Sequence, residues 1–105
     1  MLSKELKDVL KLQKKKLDRY TELQNKIFSQ VITKINNHAK LGLTHCVYTV
    51  PHIVYGYPSY NISDIRTFLV NKLTTDGFRA ILMSNGNIYI SWNIKDVTLV
   101  QTGRI

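Results

Sequence analysis

A chain of 105 residues, 44% hydrophobic and 21% charged, has room for one small domain with one modest core, and its composition is not that of a disordered chain. Its one cysteine excludes an internal disulfide and makes a reducing compartment the expectation. The net charge of +8 is unevenly spread: residues 1–40 hold ten Lys and Arg against four Asp and Glu, residues 41–105 five against three.

A basic arm on a nearly neutral body fits a polyanion or an acidic protein surface, and equally a solvated helix kept soluble by lysine. Charges at Lys4, Glu5, Lys7 and Asp8 stand where a signal peptide needs an apolar run. The uncharged stretch 41–63 is broken by polar residues and prolines, so no membrane span is expected.

Residues 3 to 40 contain no Gly or Pro and predict one long basic amphipathic helix capped by Ser3. Leu6, Leu10, Leu17, Tyr20, Ile27, Val31 and Ile35 recur at steps of three, four and seven, forming an apolar stripe. Lys4, Lys7, Lys11, Lys14 and Lys15 fall in another sector of about 100°. A helix of this size is about 54 Å long, more than so small a body can cover. Its N-terminal half is therefore expected to protrude or to pack on another molecule. Leu41-Gly42 closes it.

THCVYTV predicts a strand over 45–50, with Cys46, Tyr48 and Val50 on one face and His45, Val47 and Thr49 on the other. PHIVYGYPSY, 51–60, reads as a loop. A second helix follows from Asn61, with Ile62, Ile65, Leu69 and Leu73 as its core stripe and Asp76-Gly77 as its stop. In FRAILMSNGNIYISW, Asn85-Gly86 between two β-rich runs predicts a two-residue type I′ hairpin joining strands 78–84 and 87–93. That turn would pair Met83 with Ile88, Ile81 with Ile90 and Arg79 with Trp92 on the core face, making Phe78, Ile81, Ile90 and Trp92 core anchors. Leu82, Tyr89, Ala80 and Ser91 would form a half-apolar second face, covered by a helix or by a partner. The tail 94–105 alternates without a returning turn and reads as an extended arm that orders on a partner, with Val97 and Leu99 as its apolar contacts.

The sequence offers four candidate sites. His38, His45, Cys46 and His52 are zinc-ligand types, but His45 and Cys46 are adjacent and point to opposite strand faces, and no CxxC or HxxxH occurs. No metal or cofactor is expected, and Cys46 reads as a small buried hydrophobe. A Cys–His nucleophile lacks an oriented base. Of the three carboxylates in the body, Asp64 and Asp76 serve as helix-start and turn residues, so no catalytic residue is assigned. Tyr55, Tyr57 and Tyr60 could stack bases or cradle a peptide, yet no Arg or Lys neighbours them in sequence, which favours a lid on the core. A winged-helix reading fails on charge: the second helix has only Arg66 and Lys72, and the wing tip SNGN has none.

The segment VPHIVYGYPSYN, a helix ending in DGF and a strand ending in IYISW resemble a family of small uncharacterised proteins of nucleocytoplasmic large DNA viruses. Its "VP…G.P.Y", "L…GF" and "ISW" segments correspond to Val50, Pro51, Gly56, Pro58 and Tyr60, then Leu73, Gly77 and Phe78, then Ile90, Ser91 and Trp92. The resemblance spans about residues 20 to 93 and implies a viral origin, not an activity.

The fold expected is α+β in the order α-β-α-β-β: a long N-terminal helix and a second helix packed on a small antiparallel three-stranded sheet. The chain reads as a single domain, with helix 1–40, body 44–93 and arm 94–105. The expected function is a non-enzymatic viral structural or assembly protein in the virion or host cytoplasm. Its partners would be other structural proteins or further copies of itself, held by Lys4, Lys7, Lys11, Lys14, Lys15, Val97 and Leu99, with no small-molecule substrate. The alternative is a sequence-nonspecific nucleic-acid-binding protein using the same basic helix.

Overall fold

The computed structural model describes residues 3–95 and has the α+β order expected: α1 (Lys4–Lys40), β1 (His45–Tyr48), α2 (Ile62–Thr75), β2 (Arg79–Leu82) and β3 (Ile88–Ser91). Helix α1 begins where Ser3 Oγ accepts a hydrogen bond from the Leu6 N–H, 3.1 Å away, as an N-cap does. Both helices end in the same device. Leu43 N–H reaches back to His38 O and Gly42 N–H to Ala39 O; Phe78 N–H and Gly77 N–H do the same with Leu73 O and Thr74 O. These paired bonds satisfy terminal carbonyls and turn the chain sharply into the next strand. Helix α2 starts at Asn61, whose Oδ1 accepts from Ser63 and Asp64 N–H.

The strands form one antiparallel sheet in the order β1-β3-β2, with the short β3 in the middle. Cys46 and Tyr48 of β1 and Ile88 and Ile90 of β3 point inward. Against that face α1 lays Leu23, Ile27, Val31 and Ile35, and α2 lays Ile65, Leu69 and Leu73, all buried. Lys34 Nζ also donates to Val47 O at 2.6 Å, tying α1 to β1. The strands are shorter than the sequence suggests, four residues each rather than six or seven. Pro51 has no N–H for the ladder, so pairing lapses ahead of it.

The hairpin corrects the expected register by one residue. Leu82 pairs with Ile88, Ile81 with Tyr89, Ala80 with Ile90 and Arg79 with Ser91. The cause lies in the turn. Asn85 does not adopt the positive φ that a type I′ turn needs; only Gly86 does, at φ 87°. Gly86 N–H bonds Met83 O, and Met83 N–H bonds Asn87 O, so Ser84, Asn85 and Gly86 make a three-residue loop. Asn85 Oδ1 is spent on Asn87 N–H at 3.0 Å. A one-residue slip turns side chains over. Ile81 is therefore not a core anchor: it stands 41% exposed on the outer face beside Val47 and Tyr89. Ile90 is fully buried, and Phe78 and Trp92 pack partly buried against the core. Trp92 lies beyond the ladder instead of opposite Arg79. Its N–H bonds Thr44 O and its indole Nε1–H bonds Leu43 O, closing the sheet onto the α1–β1 connection.

Ile90→Ala should cost about 2–5 kcal/mol in urea unfolding, and Ile81→Ala under about 1 kcal/mol; equal losses would restore the two-residue turn. A Cβ on Gly86 would meet Arg66 Nη2 at 2.7 Å as well as an unfavourable φ. Gly86→Ala should therefore cost about 1–2 kcal/mol, with part of the loss relieved in an Arg66→Ala background.

Candidate functional site

Helix α1 is 37 residues long, about 56 Å at its ordinary rise, and the molecule measures 57 × 34 × 26 Å. Its buried residues begin only at Leu23, and every side chain from Lys4 to Arg19 is exposed. The first half of α1 thus stands clear of the body for about 24 Å. Lys4, Lys7, Lys11, Lys14 and Lys15 all lie on this free half, where sequence periodicity places them on one side. With Lys16 and Arg19 they outnumber Glu5, Asp8 and Asp18 by seven to three, a net charge of +4. Leu6, Val9, Leu10 and Leu17 are exposed on the same half, Leu17 by 66%. At about 100° per residue they share the sector of Ile27, Val31 and Ile35, so the core stripe continues past the end of the core.

The root of this free half is fixed by a cluster that adjacency in sequence could not reveal. Arg19 pairs with Glu22 at 2.7 Å, donates to Gly56 O, and stacks over the Tyr57 ring at 4.3 Å from its centroid. Lys26 approaches the same ring at 5.6 Å. The tyrosine loop 51–60 therefore does have basic neighbours, supplied by α1 from more than thirty residues upstream. They engage Tyr57 from α1, which serves the lid reading. Tyr60 Oη–H donates to Pro51 O within the loop, whereas Tyr55 is 97% exposed.

The remaining candidates are dispersed. His45 stacks on Tyr89 on the outer sheet face, at 5.8 Å between ring centroids, while Cys46 is buried on the inner face. His38 Nδ1 donates to Lys34 O on α1, and His52 is exposed in the loop. Among the described residues no three or more of His, Cys, Asp and Glu gather to hold a metal ion. A shallow groove of about 590 Å³ is walled by α1 alone, from Lys26 to His38, and a cavity of about 140 Å³ lies inside the loop between His52 and Tyr60. Neither wall includes a carboxylate or Cys46. The two cations of α2 are turned to internal use: Arg66 lies against the Gly86 turn, and Lys72 sits 4.8 Å above the Phe28 ring. Among the described residues no helix is long and apolar enough to cross a membrane. Ile94 and Lys95 are helical, with Asn93 Oδ1 accepting from Lys95 N–H; Val97 and Leu99 lie outside the described residues.

A family model described as a family of unknown function, DUF5759, matches residues 5–74. The chain belongs to this family. The DUF5759 match takes in the free half of α1, its root, β1, the tyrosine loop and nearly all of α2. It ends before Gly77, Phe78 and the Ile90-Ser91-Trp92 segment. No match was found among curated proteins or among solved structures.

Burial raises the Cys46 thiol above its ordinary range, with the charge of Lys34 offsetting part of the rise. Tyr48 is raised by burial and then by Tyr60, and Tyr60 by burial. Acids held neutral in the fold and free to ionise once unfolded leave stability unchanged below their unfolded values and lower it as pH climbs past them. Unfolding free energy should fall from about pH 8.5 upward, where an exposed thiol begins to ionise, and Cys46→Ala should blunt the first part of the fall. In the folded protein at neutral pH, a thiol reagent should label Cys46 far more slowly than it labels the urea-unfolded chain.

Proposed function

We propose that this protein is a non-enzymatic structural or assembly component of a virus, which holds protein neighbours through the free half of α1. The observation that carries this reading is the exposure of residues 4–19 as a rigid, basic rod on a body whose core is otherwise closed. A helix is marginal in water unless an apolar face is covered, and this half leaves its leucines bare. The viral setting rests on the resemblance of the VP…G.P.Y, L…GF and ISW segments. A second reading, sequence-nonspecific nucleic-acid binding, is favoured by one observation, the five exposed lysines in a single sector.

A photo-crosslinking residue placed at Lys11 in the full chain, expressed in its host cell, separates the two. Adducts to protein are expected. Reversing Lys7, Lys11 and Lys14 to Glu should lower their yield several-fold and leave the melting temperature within about 2 °C, because exposed charges contribute little to stability. Nuclease-sensitive adducts, with binding that collapses between about 50 and 200 mM salt, would replace this reading with the second.

A further inference from the structure

What the free half holds can be narrowed from its own residues, and this step rests on the reading just given. Leu6, Leu10, Gln13, Leu17 and Tyr20 follow at intervals of four, three, four and three, the a and d positions of a heptad. Lys7 and Lys14 take the e positions along one edge of this seam; Val9 and Lys16 take the g positions along the other. Glu5, Asp8 and Asp18 fall at c, f and b, away from it. From Leu6 to Leu17 the seam is apolar but for Gln13, exposed among the described residues, and flanked only by positive charge, and at Tyr20 it runs into the body's own core.

Each alternative occupant meets a specific obstacle. Two copies packed antiparallel would set Lys14 beside its own counterpart, and e and g charges govern pairing in such seams. Two copies packed in parallel would collide, because the body sits on the same face of α1 as the seam. A bilayer would take Gln13 deepest, since it lies at the middle of the apolar sector, and an unpaired amide in hydrocarbon costs several kcal/mol (about 2–7). In a helix pair a single polar a or d residue instead fixes the register.

We propose that residues 6–17 of α1 form one strand of a short heterotypic coiled coil that ends where Tyr20 meets the body. The other strand is an amphipathic helix of a partner protein, with apolar residues at a and d and Glu or Asp at e and g. Three lysines then face carboxylates, and the bare leucines are buried.

The test uses the full chain and two synthetic 21-residue helical peptides, both with Ile at a and Leu at d, one with Glu at e and g and the other with Lys. The Glu peptide should bind at least tenfold more tightly than the Lys peptide. Leu10→Ser with Leu17→Ser should weaken it at least tenfold at unchanged melting temperature, since both side chains are exposed and neither belongs to the core. Lys7→Glu, Lys14→Glu and Lys16→Glu together should reverse the preference. Equal binding of the two peptides, or none, overturns the proposal. So does a chain that sediments alone as a dimer and reverts to monomer in the serine variant, or one that binds phosphatidylserine vesicles through those leucines while ignoring the Glu peptide. Protein adducts from Lys11 combined with failure of the Glu peptide would overturn only the class of partner. Absence of protein adducts would overturn the holding function itself.

Discussion

A mismatch of length governs this molecule. The sheet offers strands of four residues, and α2 adds fourteen, so the inner face spans only about four turns of a helix that has ten. The core is complete once Leu23, Ile27, Val31 and Ile35 have been covered. Everything N-terminal to Arg19 stands outside this core, and its apolar side chains are left exposed among the described residues. The body closes its own backbone locally. Two paired-bond helix ends and an Asn cap satisfy groups that every helix end leaves over, and the Trp92 bonds to the α1–β1 connection continue the sheet past its last ladder pair.

Much of the fold was legible because its signals are local and strong. The uninterrupted helix, both helix stops, the α2 stripe and the alternating face of β1 are periodicities and caps, which short-range physics decides. The hairpin register was not legible, because Asn-Gly serves a two-residue turn and a three-residue turn equally well. Ile88 and Ile90 face the core in either turn; what separates the two is that Ala80 and not Ile81 packs inward opposite Ile90, and that Gly86 alone takes the positive φ with the Arg66 guanidinium against it, both tertiary facts. Ile81 was misplaced for that reason alone. The lysine sector and the protruding half were readable from spacing and rise. The Arg19–Tyr57–Gly56 root was not, since it joins residues almost forty positions apart.

Positive charge in this protein divides into two populations with different physics. Arg19, Lys34, Arg66 and Lys72 are packed over rings, carbonyls or a turn, where they act as long apolar stems with donors at the tip. Lys4, Lys7, Lys11, Lys14, Lys15 and Lys16 are all exposed on the free half of α1. The second population, joined elsewhere on the surface by the exposed Lys40, Arg79 and Lys95, answers an external field, and its response weakens with salt over a Debye length of about 8–10 Å. The outer sheet face, where Val47, Ile81 and Tyr89 stand half-exposed around His45, adds an apolar surface that has little charge of its own.

The grip of Arg19 on the tyrosine loop has a mechanical consequence. A straight helix clamped along its C-terminal half by Leu23, Ile27, Val31 and Ile35, and last held at Arg19, behaves as a lever whose free arm is about 24 Å. A pivot of about 10° at Arg19 would sweep Lys4 through roughly 4 Å, close to the rise of three residues. The core fixes the axis of the helix, and the outermost hold on its aim is one guanidinium among a carboxylate, a carbonyl and a ring. The loop of tyrosines, far from the tip in space, acts as the stock that holds the barrel still.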